Sequence, residues 1–231
     1  MAIHFNQRTI VPVVTAGGIS RQPLLNKQFV PDILFELDRL TISPNGRKAL
    51  TIASTELAWF QMTDGTATMH TAEHELSVTA NHIGLLPPGF EGTLSSDAGA
   101  TLLFALVPDV QKLDPAISGD PPIFRVLDWQ NEPLLQSEHD ARKRIYLVTP
   151  KMFGTRAIRG EMIIYPPGTE CPVHHHRGGA HFMIVSVVHT QNAALHLNTA
   201  QKQTVITRGR RGFTTTHSAD PFFRRFRSLI N

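Results

Sequence analysis

Short apolar runs alternating with strong turn signals constrain this chain more than any other feature. Ile33–Leu37, Leu50–Ala53, Leu57–Met62, Ala67–His70, Glu75–Val78, Ile83–Leu86 and Thr101–Val107 have strand length and composition. Ser43-Pro44-Asn45-Gly46, Thr63-Asp64-Gly65 and Pro87-Pro88-Gly89 break the chain between them, where Pro presets φ and Asn, Asp or Gly tolerates the tight geometry of a turn. Runs at intervals of roughly 8–12 residues with polar turns predict an all-β sandwich or barrel.

The rhythm lapses between residues 108 and 143. That segment is rich in Pro and Asp, holds Ser118-Gly119-Asp120-Pro121-Pro122, and carries the helix-compatible Glu138–Arg144 run. Strand-like runs then resume at Arg144–Val148, Ile158–Tyr165 and His181–Val188. Two β-rich stretches of similar length suggest an internal duplication. The expected organisation is an N-terminal arm over 1–30, a first barrel over 31–108, a linker over 109–143 and a second barrel over 144–231.

At 231 residues, 41 % hydrophobic and 18 % charged, the chain has the length and apolar content for a real core, which sets it apart from disordered sequences. No apolar run approaches the roughly eighteen residues of a membrane span, and the first residues lack the basic, apolar, small-residue order of a secretory leader. A cytoplasmic protein with no membrane partner is expected. The single Cys171 cannot form an internal disulfide. Of the net charge of +3, the segment from Arg208 onward contributes +5 through six arginines and Asp220, leaving −2 for the rest. No helix-turn-helix, zinc-finger or aromatic stacking pattern accompanies that tail, so a solvated segment is expected and a nucleic-acid partner is not.

Chemistry is concentrated in Tyr165-Pro-Pro-Gly-Thr-Glu-Cys-Pro-Val-His-His-His-Arg-Gly-Gly-Ala-His-Phe-Met, where four of the twelve histidines fall within eight residues. In an extended strand His174 and His176 share one face while His175 points to the other. Two imidazoles on one face make half of a metal site, since neutral imidazole binds zinc, iron, copper and nickel.

Gly168, five residues, His174, one residue and His176 match the opening of the first motif of the cupin superfamily, Gly-x5-His-x-His-x3or4-Glu-x6-Gly. The chain thus resembles a bicupin, with two double-stranded β-helix barrels in tandem. In the first half Gly46 and Gly65 stand where the same motif would begin and end, and Asn81-x5-Pro87-x-Gly89-x2-Gly92 resembles the second motif, Gly-x5-Pro-x-Gly-x2-His-x3-Asn. The ligand positions there hold Ile52, Ser54, Ala58 and Gly92, so the resemblance implies a metal-free first barrel. His70, His74 and His82 are read as surface or loop histidines.

In the second half the acid position falls on Ala180 at one family spacing and on His181 at the other. His174, His176 and His181 would form a three-imidazole set, with His217 as the fourth ligand although no Pro-x-Gly precedes it. Val187 or Val188 replaces the closing glycine, and the apolar alternation weakens from there on, as in a diverged barrel end. The resemblance implies a divalent transition metal, Fe, Mn, Ni or Zn, and an enzyme acting on a small organic molecule, oxygenase-type before isomerase or lyase. Glu161 and Tyr165 are the catalytic candidates; Glu161 or Glu170 would serve as a general base or replace the missing carboxylate ligand, and Met162, Phe182 and Met183, with Tyr165, are candidate pocket residues. The alternative is a catalytically silent bicupin that binds a small ligand or serves as a structural oligomer. A homodimer is expected, its sheet edge protected by the N-terminal arm.

Overall fold

A computed structural model describes residues 2–6, 9–31, 33–138, 140–166, 180–186, 203–208 and 225–230, with 2–6 and the last three segments described as strand backbone. The fold is all-β, as the alternation predicts, with short 3-10 turns and one four-residue helix among the described residues. In chain order the first strands are β1 (Ala2–Asn6), β2 (Val13–Thr15), β3 (Ile19–Leu25), β4 (Glu36–Ile42), β5 (Gly46–Thr51) and β6 (Leu57–His70). Then come β7 (Glu75–Thr79), β8 (His82–Leu86), β9 (Glu91–Ser96), β10 (Ala100–Val107), β11 (Arg125–Asp128) and β12 (Leu135–Gln136). The last are β13 (Lys143–Val148), β14 (Arg159–Ile164), β15 (Ala180–Ser186), β16 (Gln203–Arg208) and β17 (Arg225–Ile230). No helix of the described residues is long and apolar enough to cross a membrane.

The chain divides into two compact units. One comprises residues 10–131 and 150–157, the other 1–9, 132–149 and 158–231. In the first unit, one sheet runs β11-β8-β6-β10-β4-β3-β2, and a smaller sheet runs β7-β6-β9-β5. β6 belongs to both. Its first half pairs with β8 and β10, its second with β7 and β9.

The crossing falls at Thr63-Asp64-Gly65, which the sequence marks as a turn. Instead β6 runs through it, with Gly65 at φ +72° and a register shift between Thr101 and Leu102 of β10. A Cβ on Gly65 would collide with the carbonyl of Gly99, so the bend requires glycine both for its φ and for its space. The expected Ser43–Gly46 turn is present, with Asn45 at φ 60° and Gly46 N donating to Ser43 O at 2.8 Å.

Strand alternation places the core between the two sheets. Leu40, Ile42, Phe60, Met62 and Leu102 of the larger sheet meet Leu50, Met69, Val78 and Leu94 of the smaller. Each such fully buried aliphatic or aromatic side chain contributes about 1.5–3 kcal/mol relative to exposure. Phe60 lies so close to Gly84 on the adjacent β8 that a Cβ there would penetrate its ring.

Some elements lie where sequence periodicity is silent. Residues 13–25, read as an arm, supply β2 and β3, and β3 pairs with β4 from Ile19↔Ile42 to Leu25↔Leu37. β11 and β12 lie within the segment read as a linker, and β11 pairs with β8. Residues 150–157 are bound to the first unit by Asp114, whose Oδ2 accepts from Thr155 Oγ1 at 2.8 Å and Arg156 N at 2.7 Å. Asp114 and Thr155 are both buried, so these bonds satisfy groups that water cannot reach.

In the second unit one sheet runs β1-β16-β15-β17-β14-β13-β12. β14 and β15 both flank β17, in register from Arg159↔Ile230↔His181 to Ile164↔Arg225↔Ser186.

Gly84→Ala should force Phe60 out of its position and destabilise the protein by about 1–3 kcal/mol. Thermal or urea denaturation followed by circular dichroism checks this.

Candidate functional site

In the first unit the positions at which the resemblance would put metal ligands are Ile52, Ser54, Ala58 and Gly92. Ile52 is 3 % exposed and Ala58 fully buried, both within the apolar core. Ile52 N donates to Phe90 O at 2.9 Å and Gly89 N to Ile52 O at 3.1 Å, which fastens the Pro87–Phe90 loop against the strand end. A Cβ at Gly92 would stand 2.9 Å from the Phe90 ring and 2.8 Å from the carbonyl of His70, so the ring and backbone leave no space for an imidazole. Phe90 in turn packs on Phe124, ring centroids 4.9 Å apart. Ser54, the remaining position of the resemblance, is exposed, and a lone hydroxyl beside Ile52, Ala58 and Gly92 is not the donor set of a transition-metal site. Among the described residues no group of three His, Cys, Asp or Glu could hold one.

The histidines of this unit have other partners. His82 Nδ1 accepts from Thr79 N at 3.0 Å beside the β7–β8 turn, and exposed His74 lies 3.7 Å from Glu73 Oε2. His70 is a surface residue of β6, its side chain 39 % exposed.

In the second unit β14 presents Glu161 directly opposite Tyr146 of β13. Glu161 is 6 % exposed, and its Oε2 lies 3.5 Å from Arg144 Nη1. That oxygen makes no hydrogen bond among the described residues. A buried carboxylate costs several kcal/mol to desolvate, and the neighbouring guanidinium is what offsets that cost. Arg159, two residues before Glu161, places its guanidinium 5.4 Å over the ring of Tyr146.

Tyr165 follows the end of β14 and is 7 % exposed. Arg142 Nη1 donates to its hydroxyl at 3.5 Å, and the guanidinium stacks 5.6 Å from the ring centroid. Asp140 fixes Arg142 in turn. Its Oδ2 accepts from Arg142 Nε at 2.6 Å and pairs with Nη2, and its Oδ1 accepts from Arg142 N at 2.9 Å. These bonds, the side-chain one foremost, hold the Asp140 carboxyl down to about 2. The result is a rigid carboxylate–guanidinium–phenol chain on the second unit.

Of the sequence-predicted metal ligands, His181 lies on β15, where it pairs with Thr207 and Ile230. Glu161 and Met183 share one row across β14, β17 and β15, and His181 is two residues from that row. Two strand spacings and two residues of rise separate the Cα atoms of His181 and Glu161 by roughly 12 Å. His174 and His176 fall in the sequence between β14 and β15, His217 between β16 and β17; all three lie outside the described residues, as does Glu170. Periodicity did not single out Arg144 or the Asp140–Arg142 pair. The available signal was opposite charge, on neighbouring strands for Arg144 and Glu161 and two residues apart for Asp140 and Arg142.

No protein-family model matches the sequence, and no curated protein sequence matches it. Solved structures do. A glyoxylate-induced protein from Pseudomonas aeruginosa superposes with a TM-score of 0.74 at 12 % identity, over 99 % of this chain and 88 % of that one. A variant of Bacillus subtilis oxalate decarboxylase gives 0.64 at 11 % identity, over 98 % of this chain and 76 % of that one. Protein Ylba from E. coli gives 0.63 at 9 % identity, over 99 % and 88 %. A further structure of the oxalate decarboxylase concerns its Mn(II) centres. These neighbours are cupin β-barrels, and at such identities the likeness is one of fold.

Arg144→Met should cost about 3 kcal/mol by leaving Glu161 buried without its cation, and Arg144→Met/Glu161→Met should recover most of it. Urea denaturation of both variants measures the difference. Because the Asp140 pKa is depressed, its stabilisation is complete above the unfolded value near pH 4 and is lost as pH falls toward about 2. Asp140→Asn should remove that part of the acid limb, roughly 1 kcal/mol, from a denaturation-midpoint profile against pH.

Proposed function

We propose that this chain is a metal-dependent cupin enzyme acting on a small organic molecule, with oxygenase-type chemistry ahead of isomerase or lyase chemistry. The observation that carries this reading is the likeness in fold over nearly the whole chain to cupin barrels, one of them with Mn(II) centres, combined with the Gly168, His174, His176 spacing. His174, His176 and His181, with His217 as fourth ligand, are the residues that would hold Fe, Mn, Ni or Zn, a set suited to borderline divalent ions. Such a metal supplies polarisation of a substrate oxygen or activation of dioxygen.

The chain's own residues then divide the remaining work. Glu161 is the base toward the substrate or the carboxylate that replaces the family's missing acidic ligand. Arg144 holds that carboxylate in place. Tyr165, fixed by Arg142, offers a hydroxyl of set orientation. Neighbours named for glyoxylate and oxalate make small keto and carboxylic acids the first substrates to test.

A second reading, a catalytically silent bicupin that binds a small ligand or serves as a structural oligomer, is favoured by the closed apolar packing of Ile52, Ala58, Phe90 and Gly92. The assembly we infer in either case is a homodimer. Its support is the edge strand β2, where Val13 and Val14 are 59 % and 80 % exposed and neighbouring Val11 is 78 % exposed.

Elemental analysis of untagged protein separates the two functions. The enzyme reading expects about one transition-metal ion per chain, lost in His174→Ala/His176→Ala, and oxygen uptake or product release with small keto acids. Metal-free protein that stays empty after reconstitution supports the silent reading.

A further inference from the structure

Four polar residues cross the smaller sheet of the first unit in a line. Glu75 of β7 pairs in register with His70 of β6, Ser95 of β9 sits diagonally across from His70, and Arg47 of β5 pairs in register with Ser95. The neighbouring residues Met69 and Leu94 face the core, so alternation puts these four on the outer face. His70 Nε2 lies 2.9 Å from Ser95 Oγ, and His70 Nδ1 lies 3.5 Å from Glu75 Oε2. In the tautomer with its hydrogen on Nδ1, on the side of Glu75, Nε2 is the acceptor for the serine hydroxyl. Arg47 is exposed and forms no ion pair among the described residues. Its register places its Cβ about 5 Å from that of Ser95.

We propose that Ser95, His70 and Glu75 form a nucleophile–base–orienter set on the outer face of this sheet, reactive toward small activated esters, with Arg47 as the cation for the developing oxyanion. The arrangement has a nucleophile in hydrogen-bond contact with its base, and a carboxylate 3.5 Å from the other nitrogen of that base. It is independent of the histidine run and of any metal.

The chemistry balances without a further reagent. Ser95 Oγ attacks the ester carbonyl as His70 Nε2 takes its proton. The C–O bond to the leaving alcohol breaks, and His70 returns the proton to that alcohol. Water, deprotonated by His70, then releases the carboxylic acid and regenerates the serine. Arg47 faces the carbonyl oxygen during both steps, doing with a side chain what backbone N–H groups do elsewhere. On an open sheet face no walls enclose the substrate, so a small ester with a good leaving group is the substrate class.

The test uses the full chain with 4-nitrophenyl acetate and a fluorophosphonate probe, reading nitrophenol release and the modified residue by peptide mass spectrometry. The expected result is an adduct on Ser95, absent in Ser95→Ala and formed roughly 100-fold more slowly in His70→Ala, with a smaller loss in Arg47→Ala. All three positions are on the outer face, and thermal denaturation confirms that each variant folds. Should His70→Ala fail to fold, His70→Gln keeps a hydrogen-bonding side chain beside Ser95 without a base and must show the same loss. An unmodified Ser95, or modification at the wild-type rate without an imidazole at position 70, overturns the proposal and leaves the Ser95–His70 bond as a cross-strand tie.

Discussion

The passage of β6 from one sheet to the other organises the first unit. Fourteen residues of continuous strand carry both sheets, and the crossing depends on a left-handed glycine pressed against the backbone of Gly99. Everything packed between the sheets follows from it. Phe60 and Met62 approach the core from one half of the strand, Ala67 and Met69 from the other, so the two layers are set by a single backbone and cannot slide independently. A side chain at position 65 would oppose the crossing through both sterics and φ, where most core substitutions act through volume alone.

The same packing decides how the two units differ chemically. In the first, Ile52 and Ala58 are buried in the apolar core, and the Phe90 ring takes the space beside Gly92. It also buries polar side chains, Asp114 and Thr155 among them, and carries the short array Glu75–His70–Ser95 on the outer face of its smaller sheet. In the second, buried polarity is tolerated: Glu161 against Arg144, and Tyr165 under Arg142. Buried carboxylates and phenols are costly in an apolar layer, and each of these has a guanidinium beside it. The second unit is also the one whose strands β14 and β15 bracket the histidine-rich segment in sequence.

Alternation was the most informative part of the sequence. Leu57–Met62 and Thr101–Val107 alternate clearly or run apolar throughout, and both are central strands. Thr63-Asp64-Gly65 was misleading because a turn tripeptide and a strand bend use the same residue in the same left-handed conformation, and only the pairing partners distinguish them. β3, with Arg21, Gln22 and Pro23, carries too much polarity to read as a strand, yet it lies between β4 and the edge strand β2, tied to β4 by the Arg21–Asp38 pair at 2.7 Å. The Ser95–His70 and Arg144–Glu161 contacts were invisible for another reason. Each joins residues far apart in the chain, and their proximity is a product of strand order, which periodicity does not contain.

The hydrogen bonds from Thr155 and Arg156 to Asp114 bear on how this chain can be divided. After Asn131 the backbone leaves the first unit, returns for residues 150–157, and departs again at Ile158. The two units are therefore threaded through each other in sequence, and no single cut releases either one whole. A truncation ending near residue 143 would leave the Asp114 carboxylate buried with its two donors gone. Genetic fusion or deletion across this region would thus be expected to preserve both units or neither, which binds their inheritance more tightly than a linker between independent barrels would.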